Sequence, residues 1–453
     1  MFIGREKELT LLQQDYIGKA VMVYGKRRVG KTTLIQKALE NCQHQTVYYE
    51  CSKGAMQDNI GLVRELARVK MLPVPLNFST LQDVFIYLNA LPKKIVVVID
   101  EYPYLKKATD SATVDSIFQN IIDNRLSNIE LVLSGSHIGM MKDLLQERNA
   151  LYGRFAVTIK LNELNYLDAA RFYPDRTPYD KVAHYAVFGG SPFVNQALNP
   201  AATLRENVIS TILNPVSAVY LYASQLLLSD YSVKINAERI FSVIGNGKKR
   251  YTEIEDKLDV KKTGNLSKQI KSLTELEIVS RNSPINKIGD NKKATFEIND
   301  NLLRFYFTFI YKNASALQVL GAEAFYDEYV APTLTDFISR RFEGICRDYF
   351  SLQVRSGKLK GVRNIGSYYY DDPVHRKNGE FDVALELADG YAIYEAKYYA
   401  QPMTLDEIRR EAQQVANIKE LAVKQLGFIA INGFVEQEKP YTYLDGNDIF
   451  AGM

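Results

Sequence analysis

Short apolar runs alternate with helix-like segments in the first third of the chain. The runs at residues 21–24, 95–99 and 129–136 contain few polar positions, which is typical of strands that are buried on both faces of a parallel sheet. Segments that read as helices, at 33–39 and 81–91, lie between these runs. The alternation predicts an α/β domain in which helices cover both faces of a parallel sheet.

A glycine-rich loop connects the first strand to the helix that follows it. The loop reads GKRRVGKT at residues 25–32 and fits the pattern G-x-x-x-x-G-K-[ST]. Its glycines let backbone N–H groups surround phosphate oxygens at the positive end of the helix. Lys31 would reach the β- and γ-phosphates, and the Thr32 hydroxyl would bind Mg²⁺. We therefore expect a nucleotide and Mg²⁺ as ligands, although a simple strand-to-helix turn would also use glycines. The expected phosphate-binding residues are Gly25, Gly30, Lys31, Thr32 and Thr33.

Two carboxylates follow the strand at residues 95–99. Asp100 would hold Mg²⁺, and Glu101 would polarise the attacking water as the catalytic base. The strand at 129–136 ends at Ser136, which would either sense the γ-phosphate or the attacking water, or merely cap the strand. Because ligands of parallel sheets bind at the carboxyl ends of the strands, these side chains and the phosphate loop should converge.

Length, composition and charge exclude several other classes of protein. A chain of 453 residues is long enough for about three or four domains, and its 24% charged and 46% hydrophobic residues are usual for a globular protein. The net charge of +3 is too small to indicate a nucleic-acid or membrane partner by itself. The three cysteines and four histidines show no metal-ligand spacing, the first residues do not resemble a signal peptide, and no apolar run could span a bilayer. We therefore expect a cytoplasmic protein without disulfides, a zinc site or a membrane partner.

The middle of the chain changes to a mostly helical pattern and then to a mixed one. Three short helices and a hairpin between residues 237 and 298 predict a winged helix-turn-helix. In that fold the third helix enters a major groove of DNA and the wing touches phosphate. Such modules also serve as spacers or protein contacts, and lysines often form an ordinary solvated face. The lysines on or near the third helix and in the wing are Lys261, Lys262, Lys268, Lys271, Lys287, Lys292 and Lys293.

A second set of charged residues lies in the last third of the chain. Asp382 stands in one strand with apolar flanks, and Glu395 and Lys397 stand two residues apart, on one face of the next strand. This D…E-x-K arrangement is that of PD-(D/E)xK nucleases, in which two carboxylates hold a divalent ion and the lysine orients or deprotonates a water. Glu343, on the helix predicted at 336–350, would be a further metal ligand.

The nuclease interpretation has one departure from the pattern and one competing explanation. Phe381 precedes the aspartate, where the nucleases have a proline. Alternating charged residues are also what the solvent-facing side of an antiparallel pair would show. A helix at 405–419, which offers Gln413 or Gln414 to brace the site, and a closing strand at 423–431 complete the predicted domain.

Four segments, taken together, carry a family resemblance. The segments are residues 2–9 (FIGREKEL), 25–32, 96–101 (VVVIDE) and 131–136 (LVLSGS). They resemble an ATPase of the STAND branch of the AAA+ superfamily, and more narrowly the archaeal-type ATPases. The resemblance implies that Phe2, Ile3 and Arg5 line the adenine pocket. It makes Arg154 a candidate arginine finger, unless it is a structural arginine, and makes Pro192 a lid contact to the nucleotide, unless it only marks a turn. The C-terminal region resembles an uncharacterised domain that is commonly fused to these ATPases.

The expected fold class is α/β: a parallel-sheet P-loop NTPase core with a helical lid, a winged helix-turn-helix and a C-terminal α/β restriction-endonuclease-like domain. The expected boundaries are 1–161 for the ATPase core, 162–231 for the lid, 232–315 for the winged helix and 325–453 for the nuclease-like domain. The leading hypothesis is an ATP hydrolase that binds DNA and cleaves it with a metal under nucleotide control, with a homo-oligomer as a compatible state. The rival is a signalling switch whose C-terminal domain binds a partner without cutting, and a small-molecule kinase would share only the phosphate loop.

Overall fold

The computed structural model describes residues 2–52, 54, 59, 78–108, 111–230, 237–245, 247–259, 264–372 and 374–452. The chain divides into two compact units, Met1–Glu163 and Leu164–Met453. Lys261 and Lys262, which the sequence places near the third helix of the winged-helix segment, lie outside the described residues. Among the described helices, none has both the length and the apolar character needed to cross a membrane.

The first unit is built on a five-stranded parallel sheet. Its strands are β1 (Ala20–Gly25), β2 (Gln45–Glu50), β3 (Ile95–Asp100), β4 (Ile129–Gly135) and β5 (Phe155–Leu161). They lie in the order β2-β3-β4-β1-β5, and all neighbouring pairs are parallel. Every residue of β1, β3 and β4 is buried, as the mostly apolar sequences of these runs predict. The prediction of a parallel-sheet α/β domain is therefore confirmed.

Helices cover both faces of this sheet. One face packs against Leu81–Asn89 and the two helices that follow β3, through a core that includes Phe85 and Phe118. The other face packs against Glu6–Leu12 and Lys31–Glu40. The described helices of this unit are Glu6–Leu12, Lys31–Glu40, Leu81–Asn89, Tyr102–Ala108, Ser111–Asn124 and Ile138–Asp143.

The second unit begins with short helices. Their apolar residues share one core with a long helix, Ala331–Arg355, and with the C-terminal sheet. Tyr166 illustrates this packing, because its hydroxyl donates a hydrogen bond to the carbonyl oxygen of Ile449 at 2.9 Å. The segment predicted as a lid therefore packs within the second unit. Its helices are Tyr166–Ala170, Pro178–Phe188, Pro192–Gln196, Leu204–Ser210 and Ala218–Asp230.

A small module with its own apolar core follows these helices. It contains the helices Ala237–Ile244, Tyr251–Leu258 and Asn265–Glu275 and the short strands β6 (Lys249–Arg250), β7 (Val279–Asn282) and β8 (Thr295–Ile298). The strands form an antiparallel sheet in the order β6-β8-β7. The three helices and the hairpin thus lie where the sequence predicts them, and β6 adds a third strand.

The C-terminal part of the second unit contains a mixed five-stranded sheet. Its order is β13-β12-β11-β10-β9, with antiparallel pairs from β9 to β11 and parallel pairs from β11 to β13. The expectation that residues 423–431 close the sheet is wrong, because β13 pairs beyond β12. The strands are β9 (Asn364–Asp372), β10 (Lys377–Glu386), β11 (Tyr391–Lys397), β12 (Val423–Ala430) and β13 (Thr442–Asp445). The helices are Asn301–Phe305, Ala314–Phe325, Ala331–Arg355, Leu405–Ala416 and Gly446–Phe450, with π-helical turns at Tyr306–Ile310 and Tyr326–Val330 and 3₁₀ turns at Ile285–Lys287 and Tyr311–Asn313.

Candidate functional site

The structure explains why glycine occupies both pattern positions of the phosphate loop, Gly25 and Gly30. Gly30 precedes the helix Lys31–Glu40 with φ = 93°, in the region where a Cβ atom is strained. Gly25 ends β1, and a Cβ there would lie 2.2 Å from the carbonyl oxygen of Leu161 on β5. The close approach of the two strands therefore requires glycine at this position.

The ammonium group of Lys31 lies inside the loop. Its Nζ donates hydrogen bonds to the carbonyl oxygens of Gly25 at 3.0 Å and Lys26 at 2.9 Å, and the side chain is buried. Charge-assisted bonds from an ammonium to phosphate oxygens are stronger than bonds to neutral carbonyls. A bound phosphate chain would therefore compete well for this group.

Thr32 and Asp100 form a pair of oxygen ligands next to the loop. The Thr32 hydroxyl donates to Asp100 Oδ2 at 2.9 Å, which joins the start of the helix to the end of β3. The Tyr48 hydroxyl, from β2, donates to the same carboxylate oxygen, and burial raises the pKa of Tyr48. A hydroxyl and a carboxylate in contact are ligands that Mg²⁺ accepts, with water and phosphate completing the shell. The residues present therefore fit a magnesium ion.

Glu101 is fixed by the strand next to its own. Its backbone has φ = 54°, which is uncommon for a residue with a side chain. Its carboxylate accepts hydrogen bonds from the backbone N of Ser136 at 3.2 Å and from the Ser136 hydroxyl. Ser136, at the end of β4, therefore positions Glu101. Both residues lie at the carboxyl edge of the sheet, together with Asp100 and the phosphate loop.

The N-terminal segment supports the loop from outside. The buried Arg5 guanidinium donates to the carbonyl oxygens of Val29 at 3.2 Å and Asn162 at 2.6 Å. Ile3 is buried, and Phe2 packs against the core on the helix Lys31–Glu40 side. Arg5 thus ties the phosphate loop to the end of β5, and the adenine contact of these residues stays a prediction.

Two further residues were expected near the nucleotide. Arg154 forms a two-point ion pair with Asp123, with nitrogen–oxygen distances of 2.9 and 3.0 Å. An arginine finger would have to break this pair first. Pro192 is the first residue of the helix Pro192–Gln196, a position that suits its fixed φ. Both roles stay predictions.

The second predicted cluster lies on β10 and β11 of the second unit. Asp382 Oδ2 accepts a hydrogen bond from the backbone N of Ala396 at 3.3 Å, and the pairing of β10 with β9 is irregular at this point. Lys397 Nζ lies 3.3 Å from Glu395 Oε2 and 3.5 Å from Glu411 Oε1. The structure therefore brings Asp382, Glu395 and Lys397 together.

Burial governs the charges of this cluster. It raises the pKa of Asp382 to about 6, with a further contribution from the charge of Glu343. Burial and the Asp382 charge raise the pKa of Glu395 well above its ordinary value. Burial opposes the charge on Lys397, but Glu395 and Glu411 together raise its pKa. Two carboxyl groups thus share a largely enclosed site with the ammonium group of Lys397.

Neighbours that the sequence reasoning missed surround the cluster. Glu411 lies on the same helix face as the buried Ile408 and Val415. An acidic residue on an otherwise apolar helix face was therefore the sequence signal that could have identified Glu411. Arg347 donates to the carbonyl oxygen of Asp382 at 2.6 Å. Of the two expected bracing residues, Gln414 donates to the Tyr370 hydroxyl and Gln413 to Asn417.

Metal binding at this cluster would rest on few protein ligands. Within the described ranges, no group of three or more His, Cys, Asp or Glu side chains is placed to hold a metal ion. Glu343 instead faces Lys248, whose Nζ lies 3.6 Å from Glu343 Oε2 and 3.5 Å from Glu380 Oε2. Asp382 and Glu395 with several waters still fit Mg²⁺, which often binds proteins through one or two carboxylates.

The parallel sheet and the phosphate loop that follows its first strand together define a P-loop NTPase fold. Residues 2–193 match the model of an ATPase domain found predominantly in Archaea. Residues 306–413 match the model of a domain of archaeal and bacterial proteins of unknown function. The expected resemblance to archaeal-type ATPases with a fused C-terminal domain is confirmed at this level.

Three individual proteins are similar to this chain. An uncharacterised protein of Methanocaldococcus jannaschii is 28% identical over 367 residues, which cover 79% of each chain. An uncharacterised ATP-binding protein of the same organism is 46% identical over 44 residues, which are 9% of this chain and 75% of the relative. A Walker-type ATPase of Pyrococcus abyssi has a similar fold, with a TM-score of 0.50 and 18% identity over 68% of this chain and 96% of that one.

Proposed function

We propose that this ATPase couples ATP hydrolysis to the binding and metal-dependent cleavage of DNA. The observation that carries the nuclease part is the Asp382–Glu395–Lys397 cluster, in which Glu395 is buried and the other two side chains are partly exposed. Removing carboxylates from water is costly unless a cation compensates them, and groups whose pKa values are perturbed in this way are often found at functional sites. A structural pair of acids on a solvated face would not have its pKa values raised by burial.

Each residue of the ATP site has a separate task in hydrolysis. Lys31 and the backbone N–H groups of the loop would bind the phosphates, and Thr32 and Asp100 would hold Mg²⁺, which would supply positive charge to neutralise the phosphates. Glu101 accepts the proton of the attacking water, while Ser136 holds its carboxylate in place.

The second site would perform hydrolysis of a phosphodiester. Asp382 and Glu395 would hold a divalent ion, which lowers the pKa of a bound water. Lys397 would orient that water and stabilise the negative charge that develops on the phosphate. Glu411 holds the other side of the Lys397 ammonium, so it acts as a positioning residue.

DNA binding is proposed for the three-helix module. Its order of helices and strands supports a winged helix, and Lys268 on the third helix is exposed. Lys287 and Lys292, between β7 and β8, are exposed as well. Asn286 fastens this wing to the C-terminal sheet, since it exchanges two hydrogen bonds with the backbone of Tyr369 at 2.8 and 3.0 Å. DNA held by the module would therefore lie beside the sheet that carries the acidic cluster.

Replacing Lys268, Lys287 and Lys292 together by alanine is expected to weaken DNA binding and its dependence on salt. Each phosphate contact that is lost should lower the slope of log K against log salt by about 0.9. Fluorescence anisotropy with a labelled duplex at several salt concentrations measures this slope. The matched control removes the same charge at exposed Lys312, Lys358 and Lys360, which lie outside the module. Equal losses in both variants would remove the module from the proposal.

Lys248 is expected to compete with a divalent ion for Glu343, the further metal ligand that the sequence predicts. It is the cation nearest to Glu343 and Glu380 in the described contacts, and it is partly exposed. Because exposed ion pairs contribute roughly 0.2–1 kcal/mol, Lys248→Ala should tighten Mn²⁺ binding by up to about fivefold. Isothermal titration with Mn²⁺ measures the change, and Lys271→Ala, which removes a surface ion pair with Glu275, is the control. Unchanged or weaker binding in Lys248→Ala would refute the competition.

A regulatory switch without cleavage is the second candidate function. The observation in its favour is that the described residues hold no third acid grouped with Asp382 and Glu395. In this case the C-terminal domain would bind DNA or a protein, and ATP would set its state. Incubating the full chain with Mg²⁺ or Mn²⁺ and labelled linear, single-stranded and branched DNAs separates the two functions. Metal-dependent products support the nuclease, and binding without products supports the switch.

A further inference from the structure

An open cleft of about 540 Å³ lies in the first unit, away from the phosphate loop. Its lining comes from the segments before β1 and β2, from the first residues of β3 and β4, and from the last turns of the helix Lys31–Glu40. Because all strands of this sheet are parallel, these positions mark its amino edge, whereas ATP binds at the carboxyl edge. The apolar floor consists of Leu12, Ile35, Ala38, Val96 and Val132.

A single acid stands in this apolar floor. Glu130, the second residue of β4, is 5% exposed and lines the cleft. The contact that the structure gives its carboxylate is a hydrogen bond from the backbone N of Tyr16 to Oε2 at 3.3 Å. Among the described residues, no lysine or arginine forms an ion pair with it. Fully buried acids are normally paired, so Glu130 is an exception that needs a reason.

The surroundings of Glu130 favour positive charge. Burial, opposed by the hydrogen bond from Tyr16 and helped by the charge of Asp15 at the rim, raises the pKa of Glu130 to about 7. The helix Lys31–Glu40 ends at the cleft with its carbonyl groups, which carry partial negative charge. Lys94 lies near the rim, but its ammonium pairs with Asp15 at 3.6 Å. The other rim side chains are amides, Cys42 and His44.

We propose that this cleft binds a small organic amine, with its ammonium group at Glu130 and its aliphatic chain on the apolar floor. The volume is that of pockets for small molecules, and a carboxylate among aliphatic side chains is complementary to a primary ammonium on an alkyl chain. A glutamine or leucine at position 130 would complete the core at a lower desolvation cost. Neither ATP hydrolysis nor DNA cleavage requires this cleft.

Three elements connect the cleft to the ATP site. The helix Lys31–Glu40 has ten residues, so it spans about 15 Å between the phosphate loop and the cleft. The strand β4 begins next to Glu130 and leads to Ser136, and β3 leads from Val96 to Asp100. An amine that shifts these elements will change the affinity for ATP, and ATP will change the affinity for the amine by the same factor.

The probe is hexylamine, and the neutral hexan-1-ol of equal chain length is its control. The full chain is titrated with each compound, and binding is monitored by ligand-observed NMR. We expect saturable binding of the amine and at least about tenfold weaker binding of the alcohol. Glu130→Gln should weaken amine binding by a similar factor. Glu40→Gln changes an exposed acid of the helix Lys31–Glu40 that does not line the cleft, so it should leave amine binding unchanged.

A second variant tests the floor without touching the acid. Ala38→Leu places a larger side chain in the cleft and should also weaken amine binding. This variant keeps the proposal testable if Glu130→Gln fails to fold. Equal binding of amine and alcohol, or full amine binding by Glu130→Gln, would overturn the proposed site. An affinity for a fluorescent ATP analogue that stays the same at saturating amine would overturn the connection to ATP.

Discussion

Lys31→Ala is expected to lower the affinity for ATP by about 100-fold or more. The ammonium lies in the loop at hydrogen-bond distance from Gly25 and Lys26, in the place where a phosphate chain must sit. Truncating one partner of a buried, hydrogen-bonded charge pair costs roughly 2–5 kcal/mol, and every 1.4 kcal/mol is about a tenfold change in affinity. Titration with a fluorescent ATP analogue in the presence of Mg²⁺ measures the loss.

Lys37→Ala is the matched control for this variant. Lys37 lies in the same helix, but its side chain is exposed and pairs with Glu40. It should therefore bind the analogue like the wild type, while both variants keep the wild-type circular dichroism spectrum. Nucleotide binding by Lys31→Ala within about threefold of the wild type would contradict the assignment of this loop.

Asp382→Asn is expected to abolish DNA cleavage and to leave ATP hydrolysis unchanged. The substitution keeps the shape of the side chain and its acceptor for Ala396 N, but removes a charge that the metal needs. Loss of one such group typically lowers a rate by about a hundredfold or more. Asp389→Asn is the control, because Asp389 is an exposed acid in the turn between β10 and β11, paired with Lys424. Gel analysis of labelled DNA with Mn²⁺ and a phosphate-release assay give the two readouts, and undiminished cleavage would contradict the role of Asp382.

The same variant separates a functional role from a structural one through its stability. The pKa of Asp382 is raised to about 6 in the folded protein, mainly by burial, against about 4 for an ordinary aspartate. A carboxyl with a raised pKa destabilises the fold at pH values above that pKa, where its charged form must be buried. Asp382→Asn should therefore melt at an equal or higher temperature than the wild type at pH 8 without metal, and the difference should vanish near pH 4. A clear fall in melting temperature at pH 8 would indicate a structural role instead.

The sequence predicted those parts of the fold that depend on uninterrupted local patterns. The strands β1, β3 and β4 are mostly apolar because both of their faces are covered, so they could be recognised without any partner. The phosphate loop could be recognised because its glycines and its lysine have fixed spacings. The D…E-x-K pattern placed Asp382, Glu395 and Lys397 correctly on two adjacent strands, since side chains two residues apart share a strand face.

The remaining features depend on contacts between distant residues. Lys248 faces Glu343 across 95 positions of sequence, and no local pattern announces such a pair. β13 could not be foreseen because a four-residue edge strand has too little apolar content to stand out. Glu130 lies in a run that was correctly predicted to be a buried strand. The free-energy cost of burying an acid within that strand was not recognised from the sequence.

Cleavage of labelled DNA by the wild type and by Lys397→Ala, with and without ATP, tests the central claim most directly. The proposed function predicts that the wild type cuts only with Mg²⁺ or Mn²⁺, that ATP changes the rate, and that Lys397→Ala binds DNA without cutting it. Metal-dependent cutting that persists in Lys397→Ala, or equal binding without cutting by both proteins, would contradict it.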